Sequence, residues 1–463
     1  MSPLDWRAVG LVLVAACYSA SPALNVPCGP NGECPSGQQC DTAQTPPTCV
    51  LTLMDASVAV EDGPPPIDAP PLECTVSKDC TDAGTPVCDD SQHVCRACVA
   101  DAECDGVCTE YDGQCVGNGQ AIFVSPTGTD GGNCMASAPC RTFSYAFQQL
   151  TANRRVIRVG DGMYMRTGNP VLDVTDTGGR IVFSGEDRDP AGAVMTAVAN
   201  STTTPPIVST DPGTDVIVEG ITLTNADTDA VRSSGTFLVS RVAITNNGDR
   251  GIQHQPTSSA AELHVWDSLI AGNSGDGVYA DRGSAEVLRS TVHNNSDGGM
   301  TFDGLTSVKV VGSIITRNGN GASSYGGIRT INVGVQDAVI AFDTIAFNRC
   351  SGTAAAPGLS TADVINVTNS IATDNTNDAT VPRQICDTCT SSYSLFSGNV
   401  PPGTGNIAGP AQFVDAVGNN FHLMATSPAR DAADPGAMPG HDIDGNSRPL
   451  GAGFDIGADE IMP

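Results

Sequence analysis

The chain of 463 residues carries 51 acidic against 22 basic side chains, a formal net charge of −29. Such a surplus argues against a nucleic-acid backbone or an anionic membrane surface as a partner held by charge. Aromatics are scarce at 5% while Gly (51) and Pro (31) abound, as in chains of many short strands joined by turns.

Arg7 precedes an apolar run, Ala8 to Ala16, that is too short to span a membrane and has the make-up of a secretory signal. Its end, Val14-Ala15-Ala16-Cys17, resembles the lipobox of bacterial lipoproteins. That resemblance implies removal of residues 1–16, lipidation of Cys17 and a membrane anchor through the acyl chains. Asp5 departs from the usual basic leader, and an ordinary signal with Cys17 in a disulfide is the alternative reading. In that family Tyr18, where a retained protein has Asp, implies sorting to the outer membrane or cell surface of a Gram-negative cell.

Of the 18 cysteines most lie before residue 141, which implies an oxidising compartment and disulfides. A first small module, 17–54, holds Cys28, Cys34, Cys40 and Cys49, whose pairing has three solutions. Residues 55–72, rich in Pro, Asp and Ala, read as a semi-extended linker. A second module, 73–118, holds Cys74, Cys80, Cys88, Cys95, Cys98, Cys104, Cys108 and Cys115. Cys95-Arg-Ala-Cys98 has the spacing of half a zinc site, but an exported chain without paired histidines favours a disulfide knot. The expected job of this region is a protease-resistant stalk, with protein binding as the alternative.

The body begins near Ala121 with a strand at Ile122 and a loop that Cys134 and Cys140 are close enough to clip. Thr142 is placed to N-cap a helix over residues 143–150, with Phe143, Ala146, Phe147 and Leu150 at helical spacing. A strand is expected at Val156–Val159. From about Asp215 to Asn375 a phrase recurs: an apolar alternation, an Asn, a Gly-rich turn and another alternation. The copies end at Asn247, Asn273, Asn295, Asn318, Asn348 and Asn375, about 22 to 30 residues apart. Each copy is too short to bury its own apolar face, so the copies must stack into a solenoid.

Val124-Ser-Pro-Thr-Gly-Thr-Asp130, Pro139-Cys-Arg-Thr-Phe143 and Ile157-Arg-Val159 with Gly162 and Tyr164 resemble the N-terminal cap of the pectate-lyase-like right-handed β-helix superfamily. Asp444-Gly-Asn446, Arg448-Pro449 and Phe454 to Glu460 resemble the terminal segment of bacterial surface β-helix proteins. The resemblance covers roughly residues 121–461. It implies an all-β, right-handed parallel β-helix with a short capping helix, preceded by disulfide-rich modules. It implies no particular activity, because this fold carries many.

In such a coil the recurring Asn residues form an inward ladder, which is a structural feature. A second ladder follows each Gly turn. Ile252, Val278, Met300 and Ile328 alternate inward, so Gln253, Tyr279, Thr301 and Arg329 face out, with Gln255, Asp281 and Asp303 beside them. Asp281 and Asp303 on adjacent coils are candidate acid/base partners at about one ladder step, with Arg329 or Arg282 assisting. Tyr279, Gln253, Gln255 and Thr301 are candidate sugar-binding groups. The alternative is an ordinary solvated face.

The Asn-Thr-Asp, Gly-His-Gly and Arg-Ile-Lys set of polygalacturonase-like members is missing, and Lys78 and Lys309 are the only lysines. Asp442-Ile-Asp444-Gly-Asn446 opens like a calcium loop but lacks the later bidentate Glu. A turn held by Asp–backbone hydrogen bonds is the competing reading there. Cys386 and Cys389 are expected to pair, leaving Cys350 as a buried thiol. Three functions follow: a lipid-anchored surface protein that binds a polysaccharide or a cell-surface protein, a polysaccharide lyase or glycosidase, or an envelope spacer.

Overall fold

The computed structural model describes residues 38–41, 48–51 and 74–462, apart from 83, 90, 110, 167–168, 187–191, 198–204, 321, 334–337, 352–355, 362, 378–383 and 439. The signal segment, Cys17, Cys28, Cys34 and the linker lie outside the described residues. The chain divides into two units, Met1–Pro71 and Leu72–Pro463. In the first, Gln38–Asp41 and Thr48–Leu51 pair antiparallel, with Cys40 opposite Cys49.

The second unit is a right-handed parallel β-helix. Three parallel sheets run its length among the described residues. Sheet I has eight strands from Leu172–Val174 to Leu359–Thr361, and sheet II has eleven from Ala121–Val124 to Thr390–Ser392. Sheet III has eleven from Gly162–Arg166 to Ile407–Ala408. One coil runs Gly298–Asp303, Ser307–Val311 and Ile314–Thr316 before the next begins at Ile328. Inward residues of all three sheets fill one continuous core, including Val239, Val265, Val287, Val310 and Ile340, each 0% exposed.

Both bends flanking sheet III need a left-handed residue. Before it stand Gly220, Arg241, Asp267, Arg289, Gly312, Phe342 and Asn369, and after it Asn225, Asn246, Gly272, Asn294, Arg317, Phe347 and Asp374, all with positive φ. For residues other than Gly and Asn this conformation is unfavourable, so something must hold the bend.

Two buried ladders do so. In the first, Asn247 Nδ2 donates to Asn273 Oδ1 (2.8 Å), Asn273 to Asn295 (2.8 Å) and Asn295 to Asn318 (3.0 Å). Asn318 continues to Asn348 (3.0 Å) and Asn348 to Asn375 (2.9 Å), and Gln384 closes the row at 2.9 Å. Each Oδ1 also accepts the backbone N–H of the preceding ladder residue, as from Asn273 to Asn295 (3.1 Å). The second Nδ2 hydrogen reaches a core carbonyl, such as Ile270 O from Asn295 (3.1 Å). Every amide is therefore satisfied in the dry interior.

The second ladder, at the other bend, was not anticipated. The N–H of Val242, Ser268 and Ser290 donates to the hydroxyl of Ser268, Ser290 and Ser313 at 3.1–3.2 Å. Asp343 replaces Ser in the next coil, accepting from Ser313 N (2.8 Å), and Ser370 and Ser394 resume the row. Burial pushes the Asp343 carboxyl well above its usual range, and its Oδ2 has no partner among the described residues.

The ends match the expectations. Thr142 caps the helix Phe143–Phe147 by accepting Tyr145 N (3.2 Å), and Phe143 and Phe147 meet Phe183 edge-on over the open end of the coil. The helix stops at Phe147, one short turn before the expected end. Cys134 pairs with Cys140, Cys386 pairs with Cys389, and Cys350 is a fully buried thiol.

Cysteines of the second module pair as Cys74–Cys88, Cys80–Cys95, Cys98–Cys108 and Cys104–Cys115, which removes the zinc reading. The module does not extend away as a stalk. Val107 and Tyr111 pack on the outer face of sheet II against Val156, Val182, Ile217 and Leu238. Arg158 of the coil is buried and paired with Asp101 of the module, and Tyr111 N donates to Glu219 (3.2 Å).

Two outcomes follow. Asn295→Ala strips acceptors from Asn273 and donors from Asn318 Oδ1 and Ile270 O, each loss costing about 1–3 kcal/mol. Urea unfolding is expected to show at least about 3 kcal/mol of destabilisation, and a loss under about 1 kcal/mol would refute the ladder's role.

His254, inside the coil with an Nε2 that has no partner among the described residues, is lowered by burial to about 4. The unfolded imidazole binds a proton below about 6.5 and the folded one does not. Stability is therefore lost as pH falls from there toward 4, by up to about 3 kcal/mol. His254→Leu is expected to flatten that part of the measured pH profile.

Candidate functional site

The outer face of sheet I is built as the alternation requires. Ile252, Val278, Met300 and Ile328 point inward at 0% exposure, and Gln253, Tyr279, Thr301 and Arg329 stand in register on successive coils. Asp281 pairs in register with Asp303, so the two carboxylates occupy one column a coil apart, both half-exposed. Gln253 Nε2 donates to Gln255 Oε1 (2.6 Å), and Gln255 Nε2 lies 3.5 Å from Asp281 Oδ2. The amides and the first carboxylate thus form a polar row across two coils.

Tyr279 is half-buried, with the Arg250 guanidinium 4.5 Å from its ring centre. Burial raises its phenol above the ordinary value, and Asp281 and Asp303 push the same way. One ring face is thereby occupied by a cation, as cation–π geometry favours.

Three of the expected residues are covered or engaged with other groups. Thr301 is 3% exposed and does not reach a ligand. Its hydroxyl donates to Tyr325 Oη (2.6 Å), and Tyr325 in turn donates to Asp276 Oδ1. Burial raises both Tyr325 and Asp276 above their ordinary values. The cause is the long excursion between Asn318 and Asn348, the widest spacing in the repeat, which folds Tyr325 back across the face. Gly298 makes room for it: a Cβ there would come within 2.2 Å of the Tyr325 ring.

Arg329 stands in the Thr301 column, with its guanidinium 5.6 Å from the Tyr325 ring, rather than in the column of the carboxylates. Arg282 sits at the bend with φ +73 and its Nη1 lies 3.4 Å from Pro256 O. Asp442 is fully buried. Its Oδ1 accepts the N–H of Asp444 (3.0 Å) and Asn446 (2.7 Å), and its Oδ2 accepts Asn446 Nδ2 (3.1 Å). Both oxygens hold the turn, the arrangement that the reading of an Asp–backbone hydrogen-bonded turn expects.

A cleft not anticipated lies across sheet III. The C-terminal segment folds back over that sheet's outer face, where Phe413 and Phe421 pack on Phe347 and Ile314. Arg448, buried, donates to Asp455 O (3.1 Å) and Gly457 O (2.8 Å), while Glu460 and Asp455 accept backbone N–H groups. The terminal motif is thus a clasp that binds itself.

Between clasp and coil remains a cavity of about 420 Å³, lined by Asp267, Arg289, His293, Thr316, His422 and Asp444 among others. Arg289 grips Asp267 through two bonds of 2.7 and 2.8 Å, which raise its pKa. Burial lowers His293, helped by Arg317. The cleft joins residues 267–316 to residues 419–444, a distance in sequence that no local pattern reports.

No protein-family model and no curated protein matches this chain. Among solved structures it is similar to the pectate lyase Pel9A, with a TM-score of 0.54 and 16% identity over 73% of this chain and 96% of that one. The A-module of the Azotobacter vinelandii mannuronan C-5 epimerase AlgE6 matches at a TM-score of 0.34 and 13% identity, over 63% of this chain and 89% of that one. The fold is that of a parallel β-helix, and at this identity the likeness shows the fold alone.

Gly298→Ala is expected to evict the Tyr325 ring and lower stability by about 1–3 kcal/mol. Adding Tyr325→Ala should erase most of the difference in a double-mutant cycle; strictly additive losses would sink the account.

Proposed function

We propose that the β-helix binds a polysaccharide chain along the outer face of sheet I without turning it over. The observation that carries this reading is the row Gln253, Gln255, Asp281 and Asp303. It sets amide and carboxylate groups at single-coil intervals beside half-buried Tyr279. Amides donate to and accept from sugar hydroxyls, carboxylates accept from them, and an aromatic edge offers an apolar contact for the ring. The similar solved structure is a pectate lyase, which supports a carbohydrate partner only through the shared fold.

Catalysis by Asp281 and Asp303 is the second reading, favoured by their pairing in register. Against it, Arg282 and Arg329 are engaged elsewhere. In the same proposal the chain is exported and held to the outer membrane or cell surface through lipidated Cys17. Cys17→Ser should then release the protein from the membrane fraction.

A polysaccharide-array and degradation screen of the soluble protein tests the main reading. Retention of one polysaccharide class is expected, weakened at least tenfold by Tyr279→Ala and by Asp281→Asn, with no products formed. Products that vanish in Asp281→Asn or Asp303→Asn would establish the catalytic reading instead. Binding untouched by all three changes would remove this face from consideration.

A further inference from the structure

The cleft beneath the C-terminal clasp brings together a set of atoms able to ligate a cation. His422 is fixed from one side: Asn420 Oδ1 accepts its backbone N–H (3.1 Å) and lies 2.7 Å from its Nδ1. The backbone bond identifies that atom of Asn420 as the acceptor, so Nδ1 carries the proton. Nε2 then faces Asp444 Oδ2 at 2.7 Å. Either a proton on Nε2 or a metal ion between the two atoms makes that contact favourable.

A third donor stands beside them. Ligand atoms of His422, Asp444 and Asp459 all lie within 4.8 Å of one another. Asp459 is 6% exposed, and its Oδ2 accepts Leu423 N (2.7 Å), which fixes the carboxyl in place. Asp442 lies alongside and adds negative potential. The arrangement has the marks of a prepared ligand set, an imidazole oriented through its other nitrogen and a carboxylate held by a backbone N–H.

Independent of this trio, the wall of the same cavity carries polar atoms with nothing to bind. Thr316 is 0% exposed, lines the cavity, and its Oγ1 has no partner among the described residues. Nδ1 of His293, also lining the cavity, is buried and equally unpartnered. Buried polar groups without partners are rare, and these two belong to residues that line the cavity.

We propose that His422, Asp444 and Asp459 bind a divalent transition-metal ion of the zinc class, whose open coordination position faces the cavity walled by Arg289, His293 and Thr316. One imidazole with two carboxylates suits zinc-like ions, whereas calcium takes six to eight oxygens and no nitrogen. Three protein ligands leave a fourth tetrahedral position open. Bonds of about 2.0–2.2 Å place neighbouring ligands about 3.3 Å apart, so His422 and Asp444 need separate only by a few tenths of an ångström. Both are about half-exposed side chains able to make that shift.

The test is zinc titration of the chelator-stripped, disulfide-intact full chain, by calorimetry and by competition with a chromophoric chelator. One equivalent of Zn²⁺ is expected to bind, at least tenfold more weakly in His422→Gln and in Asp444→Asn. His264→Gln serves as the control. That imidazole lies between Glu262 (3.1 Å) and Glu286 (3.4 Å) on sheet II, and its loss should change nothing. An equal concentration of Ca²⁺ should not displace zinc. The proposal falls if zinc does not bind stoichiometrically, if His422→Gln leaves affinity unchanged, or if His264→Gln abolishes it. Polysaccharide retention on sheet I is a separate readout, so either idea can fail alone.

Discussion

The structure depends on one repeated contact, a side-chain amide that donates to the next coil and accepts from the one before. Parallel strands fix the rise of the coil, but they do not fix where each bend falls. The Asn row does, because every amide must meet both its neighbours and a core carbonyl in a water-free interior. With the bend pinned, Arg317, Phe347 and Asp374 adopt a left-handed backbone that their side chains do not favour. The phase of every strand follows, and with it the direction of every side chain on the outer faces.

The serine row at the other bend shows the same logic with a weaker group. A hydroxyl accepts one backbone N–H, so it holds position without forming the continuous chain that the amides do. Asp343 in that row is the exception. Its Oδ1 accepts the Ser313 N–H as a serine hydroxyl would, and burial raises the carboxyl well above its usual range. Sequence, bend and ionisation state are linked at that one position.

Much of the fold was legible because its causes are local and periodic. Alternation placed Ile252, Val278, Met300 and Ile328 inside, and the register of Gln253, Tyr279, Thr301 and Arg329 followed directly. What was illegible came from excursions and from the chain's return. Thr301 is outward by alternation yet covered, since the insertion carrying Tyr325 is aperiodic. Arg282 and Arg329 are near the face in sequence but find partners across loops. His293 and Thr316 gave no signal as site residues, for nothing periodic announces that residues 413–461 fold back over them. The docking of the second cysteine module was hidden for the same reason: its contacts with sheet II join residues as far as 57 (Asp101–Arg158) and 108 (Tyr111–Glu219) apart.

The amide row begins at a backbone N–H, that of Ala226, and ends at a glutamine, Gln384, so neither terminus of the row needs a special residue inside it. Each interior Asn presents the same donor upward and the same acceptor downward. A whole coil can therefore be inserted or removed between two such residues, leaving the remaining bonds chemically identical. Length in this molecule is a quantity that can change in integer steps, while the helix plug at one end and the clasp at the other stay as they are. A footprint on the outer faces would grow or shrink by the same integer steps.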